Sequence, residues 1–268
     1  MTLPSDFVFS QSSLQDYHDC QRRFQLRYWL RQQWPSVEIE PLAERERLLQ
    51  QGDAFHQRVQ QHLAGLPLAP LRDPDLSDWW AAFMEQGLAG LPEQRYAELQ
   101  LSASLNGYPV LARYDLIAVT PGQQAVIVDW KTTQHRPGRV WLERRIQTRL
   151  YRYLFIRAGA HLNNGQPWQP EQLTMRYWFT AQPDQPEVLP YTRTQYAEDE
   201  DFLGHLMAQI DSQTDTIFPL TSEPKRCLYC TYRTLCERGP QAGNLSQAAG
   251  EDWNESADSL APILELEF

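Results

Sequence analysis

RYAELQLSASLNGYPVLARYDLIAVTPGQQAVIVDWK, residues 95–131, is the stretch from which the fold can be read. Residues 95–105 alternate as a half-buried strand does, and Asn106-Gly107 is the dipeptide of a tight hairpin turn. Residues 108–119 form a second strand, and Pro121-Gly122 turns the chain into a third, 124–130, which is apolar from Ala125 until Asp129. Upstream, 11–34 reads as a helix with Ser10 or Ser12 as cap, Leu14, Tyr17, Phe24 and Tyr28 near a helical repeat, and Cys20 inside it. Two further helical stretches follow: 42–63 carries His56, and 75–88 carries Trp79, Trp80 and Phe83. Downstream come an amphipathic helix over 140–158, a strand over 172–180 and a helix around 196–212. This order predicts an α/β fold, a mixed central sheet flanked by helices, with a helical N-terminal region.

The 268 residues suffice for a substantial core, and 42% hydrophobic with 12% aromatic residues mark a globular chain. No run approaches the roughly 18 apolar residues of a membrane span. The opening MTLPSDFVFSQ lacks the basic and apolar regions of a secretory leader, so a cytoplasmic home without membrane partners is expected. There is no Gly-x-Gly-x-x-Gly, no Gly-Lys pair for a phosphate loop and no Gly-x-Ser-x-Gly elbow, which excludes those nucleotide and serine-hydrolase chemistries. The net charge of −10 is unevenly spread. Lys131, Arg136, Arg139, Arg144, Arg145, Arg149, Arg152 and Arg157 face a single acid, Glu143, within 131–157, whereas Glu198, Asp199, Glu200 and Asp201 form an acidic run. Such a basic segment is either a solvated helix face or a phosphate-binding surface. On the second reading, Arg145, Arg149 and Arg152 line a nucleic-acid path.

The four cysteines are Cys20 near one end and Cys227, Cys230 and Cys236 near the other. A C-x2-C-x5-C run with a distant fourth thiol suits a 4Fe-4S cluster; zinc is the rival reading, and disulfides fit a reducing compartment poorly. The other chemistry lies at the strand ends. Asp115 in the second strand and Asp129 at the end of the third can approach closely enough to share a hard divalent cation. Alternation puts Lys131 beside Asp129 with Trp130 facing away, and a lysine there can serve a water or steady charge on a phosphate. Taken alone, Asp115 could equally be a strand acid paired with Arg113. Glu223-Pro224-Lys225 repeats the acid-x-Lys spacing, but its proline and loop context argue against a strand end.

Together these residues resemble the PD-(D/E)XK nuclease superfamily, in particular its RecB-like exonuclease branch with an iron–sulfur clasp. That branch includes the CRISPR-associated adaptation nuclease and the AddB nuclease domain. Ser10-x-Ser12-x4-Tyr17-x2-Cys20-x3-Phe24 resembles its first cysteine motif, Gly52-x3-His56 its histidine motif and Arg113-x-Asp115-Leu116-Ile117 its first acidic motif. Val128-Asp129-Trp130-Lys131-Thr132 is similar to the acid-x-Lys strand, Gln147-x3-Tyr151 to the helix after it, and Cys227-x2-Cys230-x5-Cys236 to the clasp. The pattern departs at Gln21, where the branch often has Pro, and at Ala112, where it often has Gly. Residues 62–95 have no evident counterpart.

The resemblance implies a restriction-endonuclease-like core and a Mg2+- or Mn2+-dependent deoxyribonuclease acting on single-stranded or frayed DNA ends. Its metal ligands would be His56, Asp115, Asp129 and the main-chain carbonyl of Trp130. Lys131 would serve the attacking water, Gln147 and Tyr151 would orient the site, and Cys20, Cys227, Cys230 and Cys236 would hold the cluster. For His56 and Tyr151 an ordinary structural role is the competing reading. His18, His62, His135, His161 and His205 gain no motif support. The expected layout is a helical region over 1–94, the nuclease core over 95–215, the clasp over 216–238 and an acidic tail over 239–268. Any helicase or adaptation-complex subunit would be a separate chain. A non-catalytic DNA-end-binding or redox-responsive module is the alternative.

Overall fold

A computed structural model describes residues 3, 4, 6–33, 40–133, 136–227 and 230–239, the side chains of 40–46 excepted. The acidic tail lies, from residue 240 on, outside the described residues. The chain forms two compact units. One is built on Gln50–Leu203 and the other on the described parts of Met1–Leu49 and Gly204–Phe268.

The larger unit holds a five-stranded sheet: β1 (Gln94–Leu105), β2 (Tyr108–Thr120), β3 (Gln124–Lys131), β4 (Leu173–Phe179) and β5 (Glu187–Pro190), in that spatial order. All neighbours are antiparallel except β3 and β4, which are parallel, so the sheet is mixed. Asn106 and Gly107 both take positive φ (51° and 88°), the requirement of a two-residue turn whose twist matches its strands. Parallel β3 and β4 need a long crossover. The helices α5 (Arg139–Arg144) and α6 (Ile146–Ala158) lie within it. The single helix expected over 140–158 is therefore broken at Arg145, whose ψ is 143°. Thr148 Oγ1 donates to the Leu142 carbonyl at 2.5 Å, so a side chain satisfies a group that helical bonding would otherwise need. β5 was not anticipated. It is a four-residue edge strand.

One apolar cluster joins Leu116, Ala118, Val126, Val128, Trp130 and Trp178 of the sheet to Phe55 and Val59. Those two come from α3 (Glu40–Leu63), and Phe83 joins them from the π-turn that ends α4 (Pro74–Ala82). Trp130 sits edge-on to Phe83 and Trp178, with centroids 5.3 and 5.9 Å away. These aromatic contacts anchor the end of β3 while its alternate residues, Asp129 and Lys131, point elsewhere.

In the smaller unit, α1 (Gln11–Asp19) begins with a reciprocal cap between Ser10 and Ser13. The helix expected over 11–34 stops at Cys20, which is extended at φ −159° and ψ 104°; α2 (Gln21–Phe24) then restarts it and runs into a π-turn over Gln25–Trp29. Cys20 serves both helices: its N–H donates to Asp16 O at 2.9 Å, and its carbonyl accepts from Phe24 N at 3.2 Å. Apolar periodicity continues across the joint, which is why the sequence reads as unbroken. Beside it lies a buried charge network. Arg23 pairs with Asp16 and Asp19 at 2.8 and 2.9 Å, Arg27 pairs with Asp16 at 2.9 Å, and Arg226 closes on Asp19. Pro224–Cys227 is a 3-10 turn, not a strand. Among the described residues no helix is long and apolar enough to cross a membrane.

Candidate active site

The β2–β3 ladder runs from Thr120↔Gln124 to Leu116↔Val128 and stops. The next residues in register are Asp115 and Asp129. In place of a backbone partner, Trp130 N donates to Asp115 Oδ2 at 2.9 Å. The carboxylate thus occupies the point where the strands cease to pair, and it satisfies a main-chain donor that would otherwise be lost.

Asp129 is 3% exposed. Its Oδ1 accepts from Gln147 Nε2 at 2.7 Å, and its Oδ2 lies 2.9 Å from Lys131 Nζ. Lys131 also donates to Gln147 Oε1 at 3.2 Å, closing a triangle of acid, lysine and amide. Gln147 reaches it because the break at Arg145 starts α6 just before it. Tyr177 lies behind: Lys131 Nζ is 5.9 Å from its ring centroid, and its hydroxyl is 2.6 Å from Thr148 Oγ1. Burial, with the charge of Asp129, pushes the Tyr177 hydroxyl well above its usual range and keeps it neutral.

His56 comes from α3, with Nδ1 3.5 Å from Asp115 Oδ2. Burial disfavours the charged imidazole, but Asp115, supported by Asp129, outweighs it and lifts His56 to about 9, with Lys131 opposing. Burial likewise raises Asp115; His56, the Trp130 N–H and Lys131 overcome it and hold the carboxyl below its ordinary value. Gly52, one helical turn before His56, shows how α3 comes so near. A Cβ there would stand 2.9 Å from Thr132 Oγ1, just past the end of β3.

The structure therefore brings His56, Asp115, Asp129, Lys131 and Gln147 together. Tyr151 stands one turn further along α6, its ring 4.8 Å from that of Tyr114, whose hydroxyl donates to the Tyr151 carbonyl at 2.9 Å. Two carboxylates, an imidazole and a main-chain carbonyl make a hard donor set suited to Mg2+ or Mn2+. Among the described residues no three His, Cys, Asp or Glu side chains form a ready-made metal cage. The carboxylate oxygens named above face Lys131, Gln147, His56 and the Trp130 N–H.

Arg113 does not pair with Asp115. Its Nε donates to Glu98 Oε2 at 2.6 Å. Glu98 carries no sequence signal, because it fits the alternation of its strand. Nor do the helix arginines line a path. Arg152 is 2% exposed, 3.4 Å from Asp199 and stacked on Tyr191 at 4.5 Å. Arg149 is 3.6 Å from Asp199 and lies over Phe202 at 4.4 Å, while Arg145 is buried over Trp141 at 4.6 Å. These arginines turn inward, and two neutralise the acidic run at Asp199. A nucleic-acid path along them is thereby corrected.

Cys20, Cys227, Cys230 and Cys236 are all half-buried free thiols, and among the described residues they do not stand as a ready-made metal cage. Burial pushes Cys227, Cys230 and Cys236 up, Cys230 to about 11, and the charge of Cys20 adds to each; Arg23 opposes it at Cys230 and Arg238 at Cys227 and Cys236. Four thiols with guanidinium groups around them are a donor set that fits an anionic metal–thiolate centre.

A family model described as the PD-(D/E)XK nuclease superfamily matches residues 8–237. No curated protein matches. Among solved structures, one named SSO0001 is 14% identical, with 87% of each chain covered and a TM-score of 0.44. Another, "Putative exonuclease" from Eubacterium rectale, is 11% identical over 78% of this chain and 85% of its own, with a TM-score of 0.49.

Proposed function

Because the chain belongs to the PD-(D/E)XK nuclease superfamily, whose members are typically metal-dependent nucleases, we propose that it is a Mg2+- or Mn2+-dependent deoxyribonuclease of the RecB-like exonuclease branch. In this reading it acts on single-stranded or frayed DNA ends and works beside separate strand-opening or adaptation subunits. The observation that carries the reading is the closed set of Asp129, Lys131 and Gln147, at 2.7 to 3.2 Å, beside Asp115 and His56.

His56, Asp115, Asp129 and the Trp130 carbonyl would hold the cation. When bound, it polarises the phosphate and supplies an activated water. Lys131 would position a water and steady the charge that grows on the phosphate. Gln147 keeps both Lys131 and Asp129 in place, so the ammonium does not fold wholly onto the acid. Tyr151, one turn along and packed on Tyr114, would help to orient the site. In the smaller unit, Cys20, Cys227, Cys230 and Cys236 would hold a 4Fe-4S cluster that joins the two chain segments; the C-x2-C-x5-C spacing with a distant fourth thiol supports this.

Anaerobically purified protein should shorten end-labelled single-stranded DNA with Mn2+ and not with EDTA, and should carry four irons and four sulfides, about one cubane, per chain. Absence of Mn2+-dependent cleavage would favour the non-catalytic, DNA-end-binding alternative. A colourless protein with one zinc would replace the cluster and leave the nuclease reading intact.

A further inference from the structure

Glu98 has φ +53°, and among the described residues it is the one non-glycine residue inside a strand with positive φ. The β1–β2 ladder pairs Ala97 with Leu116 and Leu99 with Tyr114, but skips Glu98 and Asp115 between them. Continuing that register, and the β2–β3 register, sets Glu98 and Asp129 at the level of Asp115 on its two flanking strands. Three adjacent strands thus each place an acid at the height where pairing lapses. A left-handed conformation costs a glutamate energy, and such strain persists where function requires it. A simple edge-strand ion pair with Arg113 needs no left-handed backbone, since a diagonal pair across regular strands is within reach of long side chains.

The carboxylate is held by Arg113 Nε at 2.6 Å, with side-chain exposures of 18% for Glu98 and 35% for Arg113. By the strand register its neighbour on β2 is Asp115, and one guanidinium is its present partner.

We propose that Glu98 is a third carboxylate of the divalent-cation centre, released from Arg113 to ligate the cation that Asp115 holds. The inference rests on the metal-dependent reading above and extends it to a residue no motif marks. Arg113 then acts as a resting partner rather than a structural one, and the left-handed backbone is what aims the side chain along the row.

Mn2+ titrations of the full-length protein, followed by the loss of the free-ion EPR signal, test this directly. Glu98→Gln should weaken Mn2+ binding by about ten- to hundredfold. Glu98→Gly should weaken it as much and melt no lower than wild type, because glycine accepts φ +53° without strain. Arg113→Gln should bind Mn2+ at least as tightly as wild type. Wild-type affinity in both Glu98 variants would overturn the proposal alone, as would equal losses in Arg113→Gln and Glu98→Gln, since the pair would then be structural. A wild type that binds no Mn2+ would overturn the metal-dependent reading together with it.

Discussion

The strand-end cluster and the cysteine region both concentrate buried charge, but they are assembled in different ways. At the strand ends, the residues come from neighbouring strands and two helices that the sheet already fixes. Asp129, Lys131 and Gln147 bond to one another, and Trp130, behind them, is locked between Phe83 and Trp178. In the cysteine region, the thiols come from a one-residue gap between α1 and α2 and from short turns near residue 230. Described ties between those segments include the Arg226–Asp19 pair, the Arg22 N–H to the Pro219 carbonyl at 3.1 Å, and the Tyr232 hydroxyl to the Gln32 carbonyl at 2.9 Å. Where the fold supplies the geometry, losing a side chain should cost chemistry. Where a bound group would supply it, losing a side chain should cost the fold.

Removing charge from the strand-end cluster is the strongest way to break this contrast. Asp129→Ala and Lys131→Ala should lower single-turnover cleavage by at least about a hundredfold, the scale of a lost proton-transfer or charge-stabilising group. Circular dichroism should show a native spectrum and a cooperative melt. A variant that loses its fold along with its activity would erase the distinction between the two regions.

Cys230→Ala should do the opposite. Its absorbance in the visible should bleach, and its stability should fall by about 3 to 5 kcal/mol, the order expected when a link closing a loop of about two hundred residues is lost. Thermal melts with iron analysis check this. An unchanged melting temperature after loss of the cluster would mean that the buried Asp16, Asp19, Arg23 and Arg226 network holds the segments unaided.

Asp199 sharpens the contrast from a third place. It accepts from the Tyr191 hydroxyl at 3.0 Å and faces Arg149 and Arg152. Asp199→Ala leaves Arg152 buried without its acid and should destabilise the protein by about 3 kcal/mol. Affinity for single-stranded DNA and its salt dependence should stay the same, since these arginines turn inward. Tighter binding with a steeper salt slope in filter-binding titrations would restore them to the DNA path, because arginines freed of their acid would neutralise further phosphates.

Gly52→Ala should have the smallest effect. The added Cβ meets Thr132 Oγ1 at 2.9 Å, so that side chain must yield and α3 must ease away from β3. A loss of about 1 kcal/mol in stability is expected, with a several-fold fall in cleavage as His56 recedes from Asp115. Equal cleavage by the two proteins at saturating Mn2+ would show that the approach of α3 is not critical.

The sheet was legible because its signals are local. Asn106-Gly107 and Pro121-Gly122 fix the two hairpins, and the apolar run 125–128 can be little but a buried strand. Asp115 and Asp129 could be paired on paper because one tight turn, at Pro121-Gly122, sets their register. The breaks at Cys20 and Arg145 could not be seen, since both interrupt a helix without disturbing its apolar period. β5 escaped notice because four residues at an edge carry almost no pattern. The arginines of α6 misled for a different reason: a run of like charge shows a field but not where it points, and Asp199 lies 47 residues from Arg152 in sequence. Glu98 was hidden because its peculiarity lies in a backbone angle, which a glutamate in an alternating strand does not advertise.

On this reading Asp115 and Asp129, the acids where β2 and β3 cease to pair, hold a catalytic divalent cation. Anomalous scattering from crystals soaked in Mn2+ tests it most directly. The prediction is a peak bonded to the carboxylates of Asp115 and Asp129, on the side of His56, and its disappearance in Asp129→Ala crystals. Mn2+-dependent cleavage in solution, with the anomalous peak in wild-type crystals lying away from both acids, would contradict it.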